Sequence, residues 1–137
     1  MDFRDRHVIV TGGTGALGTA VVGALLKAGA FCHVPYVSEP EAQNFAHRAD
    51  PRAQLVAAAT LADEATVARL YDAAPNLWAS IHLVGGYAWG PVSETDKAAL
   101  MQQIEMNLVT CFLCSRAAAS RWPPFIAIEL AEGSERQ

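Results

Sequence analysis

A cluster of glycines near the N-terminus is the part of this sequence whose spacing most clearly allows chemistry. It reads GGTGALG over residues 12–18 and contains a G-x-G-x-x-G pattern. An apolar run precedes it and a small-residue helical pattern follows, which is the context in which this pattern binds a dinucleotide. Glycines bring backbone N–H groups close to a pyrophosphate, and the following helix directs the positive end of its dipole at that anion. The predicted cradle comprises Gly12, Gly13, Thr14, Gly15, Ala16, Leu17 and Gly18.

The glycine cluster also allows two other interpretations. A P-loop needs a lysine directly after its last glycine, in order to reach the terminal phosphates of a nucleotide. Thr19 stands at that position, so hydrolysis of ATP or GTP is not predicted. A strand–helix turn that binds nothing is the remaining alternative.

The three cysteines, Cys32, Cys111 and Cys114, are interpreted as free thiols. An odd number of cysteines without a secretory signal is typical of a reducing compartment, and the sequence favours a cytoplasmic location. Cys111 and Cys114 form a C-x-x-C within a helical pattern, and both are predicted to be small core residues. The four histidines have no spacing that would supply a second pair of zinc ligands, so no metal site is predicted.

The composition is that of an ordinary folded domain. The 137 residues are 52% hydrophobic and 18% charged, which is too apolar for a disordered chain. The formal net charge is −4 and the lysines and arginines do not cluster, so a nucleic-acid partner is not expected. No apolar run reaches the length of a membrane-spanning helix, so a membrane partner is not expected either.

Apolar runs alternate with helical patterns along the chain, which predicts an α/β fold with a parallel sheet. Pro35 is expected to end the second strand. Strands are predicted at 7–11, 31–34, 54–59 and 78–84, and helices at 15–28, 40–48 and 63–74.

A long helix is predicted after the fourth strand, capped at Ser93 or Thr95 and running to about Arg121. Its apolar residues recur at four-residue spacing and form one stripe, which consists of Leu100, Ile104, Leu108 and Phe112. Residues 1–121 are expected to form one dinucleotide-binding domain. Residues 122–137 are expected to form a divergent tail, with a short fifth strand at 125–130 as an option.

Three motifs together resemble the N-terminal half of the short-chain dehydrogenase/reductase family. They are TGGTGALG at Thr11–Gly18, LVGG at Leu83–Gly86 and NLVTCFLCSRAA at Asn107–Ala118. The resemblance covers about residues 6–120, and the sequences GGTGALG at 12–18 and VGGYAWG at 84–90 are similar to the dihydropteridine reductase branch. It implies a partial Rossmann fold with strand order 3-2-1-4, and NAD or NADP as the cofactor.

Several positions depart from the pattern of that family. Its middle glycine falls at Ala16, and its acidic residue after the second strand, which would bind the adenosine ribose, falls at Tyr36. Its Asp-Val pair, which would contact adenine, aligns with Thr60 and Leu61. A choice between NAD and NADP therefore does not follow from these residues.

The family's Asn-Asn-Ala-Gly after the fourth strand reads His82-Leu83-Val84-Gly85 in this chain. A backbone role in cofactor binding is still expected along this turn, at Val84, Gly85 and Gly86. His82 is more simply interpreted as a half-buried strand residue than as a group that contacts the nicotinamide.

The resemblance implies a catalytic Tyr, a Lys four residues later, a Ser and a helix Asn. Four residues after the three tyrosines, Tyr36, Tyr71 and Tyr87, stands a proline in each case, so the chain contains no Tyr-x-x-x-Lys. Asn107 alone fits one of the four roles, with a purely structural hydrogen bond as its equal alternative. The expectation is a cofactor-binding fragment that is inactive alone, and a truncated or frame-shifted product is one hypothesis for its origin.

Two further functions stay open: an oxidoreductase acting on a carbonyl or alcohol, completed by another chain, and a non-catalytic binding or regulatory subunit. The helix at 100–120 is expected to present apolar surface and to mediate self-association or contact with a completing chain. Tyr87 and Trp89 are expected to pack under this helix, with a place in the wall of a pocket as the alternative. Arg48 and Arg52 are expected on a solvated face rather than on a 2′-phosphate.

Overall fold

The computed structural model describes residues 2–121, in which four parallel strands form one sheet in the order β3-β2-β1-β4. The strands are β1 (His7–Thr11), β2 (Phe31–Tyr36), β3 (Ala53–Ala57) and β4 (Leu77–His82). Ile9 of β1 lies beside His33 of β2, and Thr11 lies beside His82 of β4. The predicted α/β fold and strand order 3-2-1-4 are confirmed.

The connections between strands are helical, as a parallel sheet requires. The helices are α1 (Ala16–Lys27), α2 (Glu39–Asn44), α3 (Glu64–Asp72), α4 (Lys97–Ile104) and α5 (Thr110–Ala119). A short 3₁₀ turn at Val92–Glu94 precedes α4, and a π-helical segment at Glu105–Val109 joins α4 to α5.

Side chains of β1 point alternately to the two faces of the sheet, and both faces are covered. Val8 and Val10 are buried in a cluster with residues of α1, including Val22 and Leu26. Ile9 belongs to the opposite cluster, which α3 and α5 complete. A strand buried on both faces needs a continuous apolar run, and this is the VIV sequence within β1.

The predicted end of β2 at Pro35 is wrong, since the strand runs on to Tyr36. The N–H of Phe31 donates to β1, at Arg6 O, whereas the N–H of Cys32 donates towards β3, at Arg52 O. By this alternation the nitrogen of Pro35 faces the β1 side, where the pairing of β1 with β2 has already ended at Ile9 and His33. The missing N–H therefore costs no ladder hydrogen bond, and β2 continues along β3.

The second and fourth helices also differ from the prediction. α2 ends at Asn44 rather than near residue 48, because the backbone of Phe45 is extended and its side chain is buried in the core. Asp96 caps α4 by accepting a hydrogen bond from the N–H of Ala99 at 2.8 Å, so the predicted caps at Ser93 and Thr95 are wrong. The predicted long helix is interrupted by the π-helical segment.

The remaining boundaries lie within two residues of the predicted ones. The predicted fifth strand at 125–130 and the predicted tail at 122–137 lie outside the described residues. Within residues 2–121, no helix combines the length and apolar character needed to span a membrane.

Candidate functional site

The glycine loop lies at the carboxyl end of β1, where open parallel sheets bind their ligands. Gly12 has a φ of +70°, a conformation that favours glycine. A Cβ on Gly12 would lie 2.7 Å from the carbonyl carbon of Leu83, so the loop packs directly on the backbone that follows β4. A Cβ on Gly18 would overlap the carbonyl oxygen of Gly12. These two glycines hold the loop closed against the first turn of α1.

The start of α1 has no side-chain cap. Gly15 occupies the N-cap position, and no side chain there accepts a hydrogen bond from the N–H groups of the first turn. Gly15 is exposed, and a Cβ on it would meet only the oxygen of Gly12, at 3.4 Å. The positive end of the helix dipole therefore faces open space at the predicted pyrophosphate position.

An apolar cavity of about 250 Å³ opens beside this loop. Segments that follow β2, β3 and β4 form one side of it, and the π-helical segment forms the other. Its lining includes Val37, Thr60, Leu61, Val84, Met106 and Thr110. The structure thus brings the predicted pair Thr60 and Leu61, which follows β3, to the same cavity as Val84, which follows β4.

Tyr36 does not join this cavity. Its hydroxyl donates to the Glu39 carboxylate at 3.2 Å, and its ring lines a separate open cleft with Arg48. The next residue, Val37, lines the apolar cavity instead, because successive residues at a strand end point to opposite sides. Sequence analysis missed Val37, although its position directly after β2 was a usable signal.

Glu41 of α2 is a second residue that sequence analysis missed. Its carboxylate accepts hydrogen bonds from the Thr14 hydroxyl and, at 2.9 Å, from the N–H of Val37. Partial burial opposes ionisation, but hydrogen bonds from Thr14 and from the N–H groups of Val37 and Ser38 lower the pKa of the Glu41 carboxyl. Glu41 lies on α2, further along the chain than Tyr36, the position at which the family carries its acidic residue.

Asn107 lies in the π-helical segment and holds the turn after β4. Its Nδ2 donates to the carbonyl oxygens of Gly86, at 3.0 Å, and Gln103, at 2.9 Å, and its Oδ1 accepts from the N–H of Gly86 at 3.0 Å. A Cβ on Gly85 would lie 2.9 Å from the same Oδ1. The predicted residues Gly85, Gly86 and Asn107 are therefore in contact, and π-helical segments often occur at functional sites.

His82 is half-buried at the end of β4. Burial lowers the pKa of its imidazole, and its Nδ1 has no hydrogen-bond partner among residues 2–121. The strand position agrees with the interpretation of His82 as a half-buried strand residue.

Burial was also predicted for two aromatic residues and two cysteines of this region. Tyr87 and Trp89 are 84% and 85% exposed, so the expected packing under the long helix is wrong. Cys114 is buried, which raises the pKa of its thiol to about 11, whereas Cys111 is only half-buried. Of the two expected core cysteines in this C-x-x-C, one is in the core.

Arg48 and Arg52 were expected on a solvated face. Arg52 forms an ion pair with Asp50 at 3.3 Å, and Arg48 is exposed. Within residues 2–121, no three His, Cys, Asp or Glu side chains come together in a group that could hold a metal ion.

A family profile described as short chain dehydrogenase matches residues 6–124. The chain belongs to the short-chain dehydrogenase family. The match covers all three motifs, from the glycine loop to α5, and it confirms the resemblance found in the sequence. No curated protein sequence matches the chain.

Solved structures of the family share the fold. A short-chain dehydrogenase/reductase from Mycobacterium ulcerans is 23% identical with a TM-score of 0.77, and the alignment covers 88% of this chain and 47% of that one. A double mutant of the Serratia marcescens enzyme is also 23% identical, with a TM-score of 0.78 and coverages of 88% and 52%. For a dehydrogenase/reductase from Sinorhizobium meliloti the values are 23%, 0.78, 87% and 50%. The chain thus spans about half the length of these structures.

Proposed function

We propose that this short-chain dehydrogenase chain binds NAD or NADP along the carboxyl edge of its sheet. The observation that supports this proposal most strongly is the glycine loop. Gly12 packs it against the turn after β4, Gly18 packs against the loop backbone, and the start of α1 beside it has no side-chain cap. A pyrophosphate placed there accepts N–H hydrogen bonds from the first turn of α1 and gains from its dipole.

The apolar cavity supports the placement of the adenine ring. Its volume of about 250 Å³ and its lining by Val37, Leu61 and Val84 suit a flat aromatic group, and Thr60 stands at its edge. The other half of the dinucleotide would extend past Gly85 and Gly86 towards His82. In this arrangement Asn107 is a positioning residue, because its amide holds the backbone of Gly86.

For catalysis we propose that the chain as given binds the dinucleotide without turnover. It contains no Tyr-x-x-x-Lys, and loss of a general acid alone typically lowers a rate by about 10²–10⁴. Loss of the groups that position a substrate lowers the rate further. A completing chain that supplies these groups would make it an NAD(P)-dependent oxidoreductase acting on a carbonyl or alcohol.

A charge placed at the N-cap tests the binding site directly. Gly15 has φ −70° and ψ 174° and open space around it, so the backbone accepts either Asp or Asn there. Gly15→Asp would cap α1 well and yet repel a pyrophosphate, whereas Gly15→Asn matches its size without the charge. We expect Gly15→Asp to weaken NADH binding at least about tenfold more than Gly15→Asn, with no loss of thermal stability in either variant. Equal NADH affinity of the two variants, measured by fluorescence titration, would contradict the site.

The outer surface of the α4–α5 region supports a second role, contact with another chain. We define the outer helix face as Leu100, Leu108 and Phe112, which are 53%, 63% and 58% exposed. Contiguous exposed apolar side chains on a soluble domain typically mark an interaction surface. We propose self-association, or docking of a completing chain, through this face. Sedimentation that shows a monomer at every concentration would count against self-association.

The three free cysteines support a reducing, cytoplasmic compartment for this function. Cys32 is buried, and burial raises the pKa of its thiol to about 11, so it is poorly reactive. A thiol titration of the native chain should accordingly label Cys111 well before Cys32 and Cys114.

A further inference from the structure

We propose that Glu41 makes the site select NAD over NADP, taking the place of the acidic residue that is absent at Tyr36. This inference rests on the proposed dinucleotide binding. It concerns the adenosine ribose, whose 2′ position carries a hydroxyl in NAD and a phosphate in NADP.

The position of Glu41 follows from two contacts. Its carboxylate accepts a hydrogen bond from Thr14, in the middle of the glycine loop, and another from the N–H of Val37, which follows β2. Val37 lines the apolar cavity, and Thr14 lies beside the start of α1. A ribose that joins a pyrophosphate at α1 to an adenine in this cavity must pass between Thr14 and Val37. The Glu41 carboxylate stands at that point.

The chemistry of the carboxylate decides which ribose is accepted. Ribose hydroxyls can donate to a carboxylate oxygen, whereas a 2′-phosphate carries its own negative charge and has nothing to donate. The hydrogen bonds from Thr14 and Val37 favour the ionised carboxylate, so Glu41 is charged at neutral pH. Like charges brought together in a partly desolvated site repel each other and weaken binding.

The other charged groups of this region lie on the Tyr36 side, in an ion pair, or at the far end of α1. Glu39, on the same helix, adds a second negative charge and accepts the hydrogen bond of Tyr36. Arg48 lines the cleft on the Tyr36 side, and the guanidinium of Arg52 is engaged by Asp50. Lys27 lies at the far end of α1, at its carboxyl terminus.

Two isosteric variants on α2 distinguish an effect of the Glu41 charge on the choice of dinucleotide from a general effect of removing a charge from this helix. Glu41→Gln keeps an acceptor for the N–H of Val37 but removes the charge, and Glu39→Gln removes an equal charge from the Tyr36 side. NADH and NADPH are titrated into each protein and into the wild type, with intrinsic and nicotinamide fluorescence as the readout. We expect the wild type to bind NADH at least about tenfold tighter than NADPH. In Glu41→Gln this ratio should fall to about threefold or less, while Glu39→Gln should keep most of it.

The outcomes of this experiment are distinguishable. Equal affinity of the wild type for the two dinucleotides, or a ratio that Glu41→Gln leaves unchanged, would overturn the role of Glu41 and leave dinucleotide binding intact. Failure of the wild type to bind either dinucleotide would overturn the proposed function and this inference with it. If Glu41→Gln does not fold, Glu41→Asp takes its place: a wild-type ratio near one overturns the role of Glu41, and so does a preference for NADH that Glu41→Asp leaves unchanged, because the shorter side chain moves the charge away from Thr14 and Val37.

Discussion

The glycine loop and the outer helix face are both made of small or apolar residues, but the structure uses them in opposite ways. In the loop, Gly12 and Gly18 leave no room for a side chain, because the backbone of the neighbouring segment fills the space. On the outer helix face, Leu100, Leu108 and Phe112 are more than half exposed and touch little of the domain. The loop is determined by contacts within the described residues, whereas the outer face is available for contact with another chain.

The contrast between packed and exposed apolar residues is largest on α5, where one residue is buried and its neighbour is exposed. Leu113 is buried against the sheet and Phe112 is exposed. Leu113→Ala should therefore lower the free energy of unfolding by about 2–5 kcal/mol, since a buried leucine leaves a cavity. Phe112→Ala should change it by less than about 0.5 kcal/mol, but should weaken any self-association. Urea unfolding and sedimentation of both variants check this pair, and equal destabilisation would contradict it.

The buried core should also give the protein a pH dependence that the exposed face cannot. His33 is buried in β2, and burial together with the nearby His7 lowers the pKa of its imidazole from 6.5 to about 4. His33 takes up a proton near pH 6.5 in the unfolded chain but only near pH 4 in the folded chain. The free energy of unfolding is therefore highest above pH 6.5 and falls as the pH drops through this window. The loss amounts to as much as about 1.4 kcal/mol per pH unit. Urea unfolding of the wild type and His33→Leu at pH 7.5 and 5 measures this loss. If the free energy of unfolding of the variant depends on pH as strongly as that of the wild type, His33 is not the cause.

A pair of glycine substitutions tests whether the loop is as tightly packed as described. Gly18→Ala should cost about 1–3 kcal/mol, because its Cβ would push against the carbonyl of Gly12. Gly90→Ala is the matched control: the nearest atom to its Cβ would be the Thr95 hydroxyl at 3.8 Å, so its effect should stay within about 0.5 kcal/mol. Thermal unfolding of the two variants compares them, and equal stability would refute the close packing of the loop.

The smallest expected effect concerns Asn107, which links the π-helical segment to the turn after β4. Asn107→Ala removes the hydrogen bonds to Gly86 and Gln103 and should lower stability by about 1 kcal/mol. Asn107→Asp keeps the acceptor for the Gly86 N–H but loses both donor bonds, so it should be no more stable than the alanine variant. Wild-type stability of both variants in urea would show that the turn after β4 does not depend on Asn107.

Much of the fold could be predicted because its signals are local. The apolar run of β1, the glycines and the following helical pattern are adjacent in sequence, and the order of the strands follows from the resemblance of three motifs. The resemblance to the family pointed to Thr60, Leu61 and Val84, and the structure shows that they line one cavity. Their role in binding stays a prediction.

The errors come from features that depend on geometry between segments. Whether Pro35 breaks β2 depends on which way its nitrogen faces, and a composition pattern does not carry that information. Val37 lines the apolar cavity while Tyr36 lines a separate cleft, because successive residues at a strand end point to opposite sides. Glu41 was missed because its partners, Thr14 and Val37, are brought to it only by folding. Tyr87 and Trp89 were expected to pack because aromatic residues are usually buried, but both are exposed in the segment after β4.

The most direct test of the account is a fluorescence titration of the 137-residue chain with NADH, followed by an assay for carbonyl reduction in the same sample. The account predicts saturable binding at one site per chain, which Gly15→Asp suppresses and Gly15→Asn largely retains, and no measurable turnover. Absence of saturable binding would contradict the glycine-loop site. Turnover at an ordinary enzymatic rate by the chain alone would contradict the proposal that it lacks the groups for catalysis.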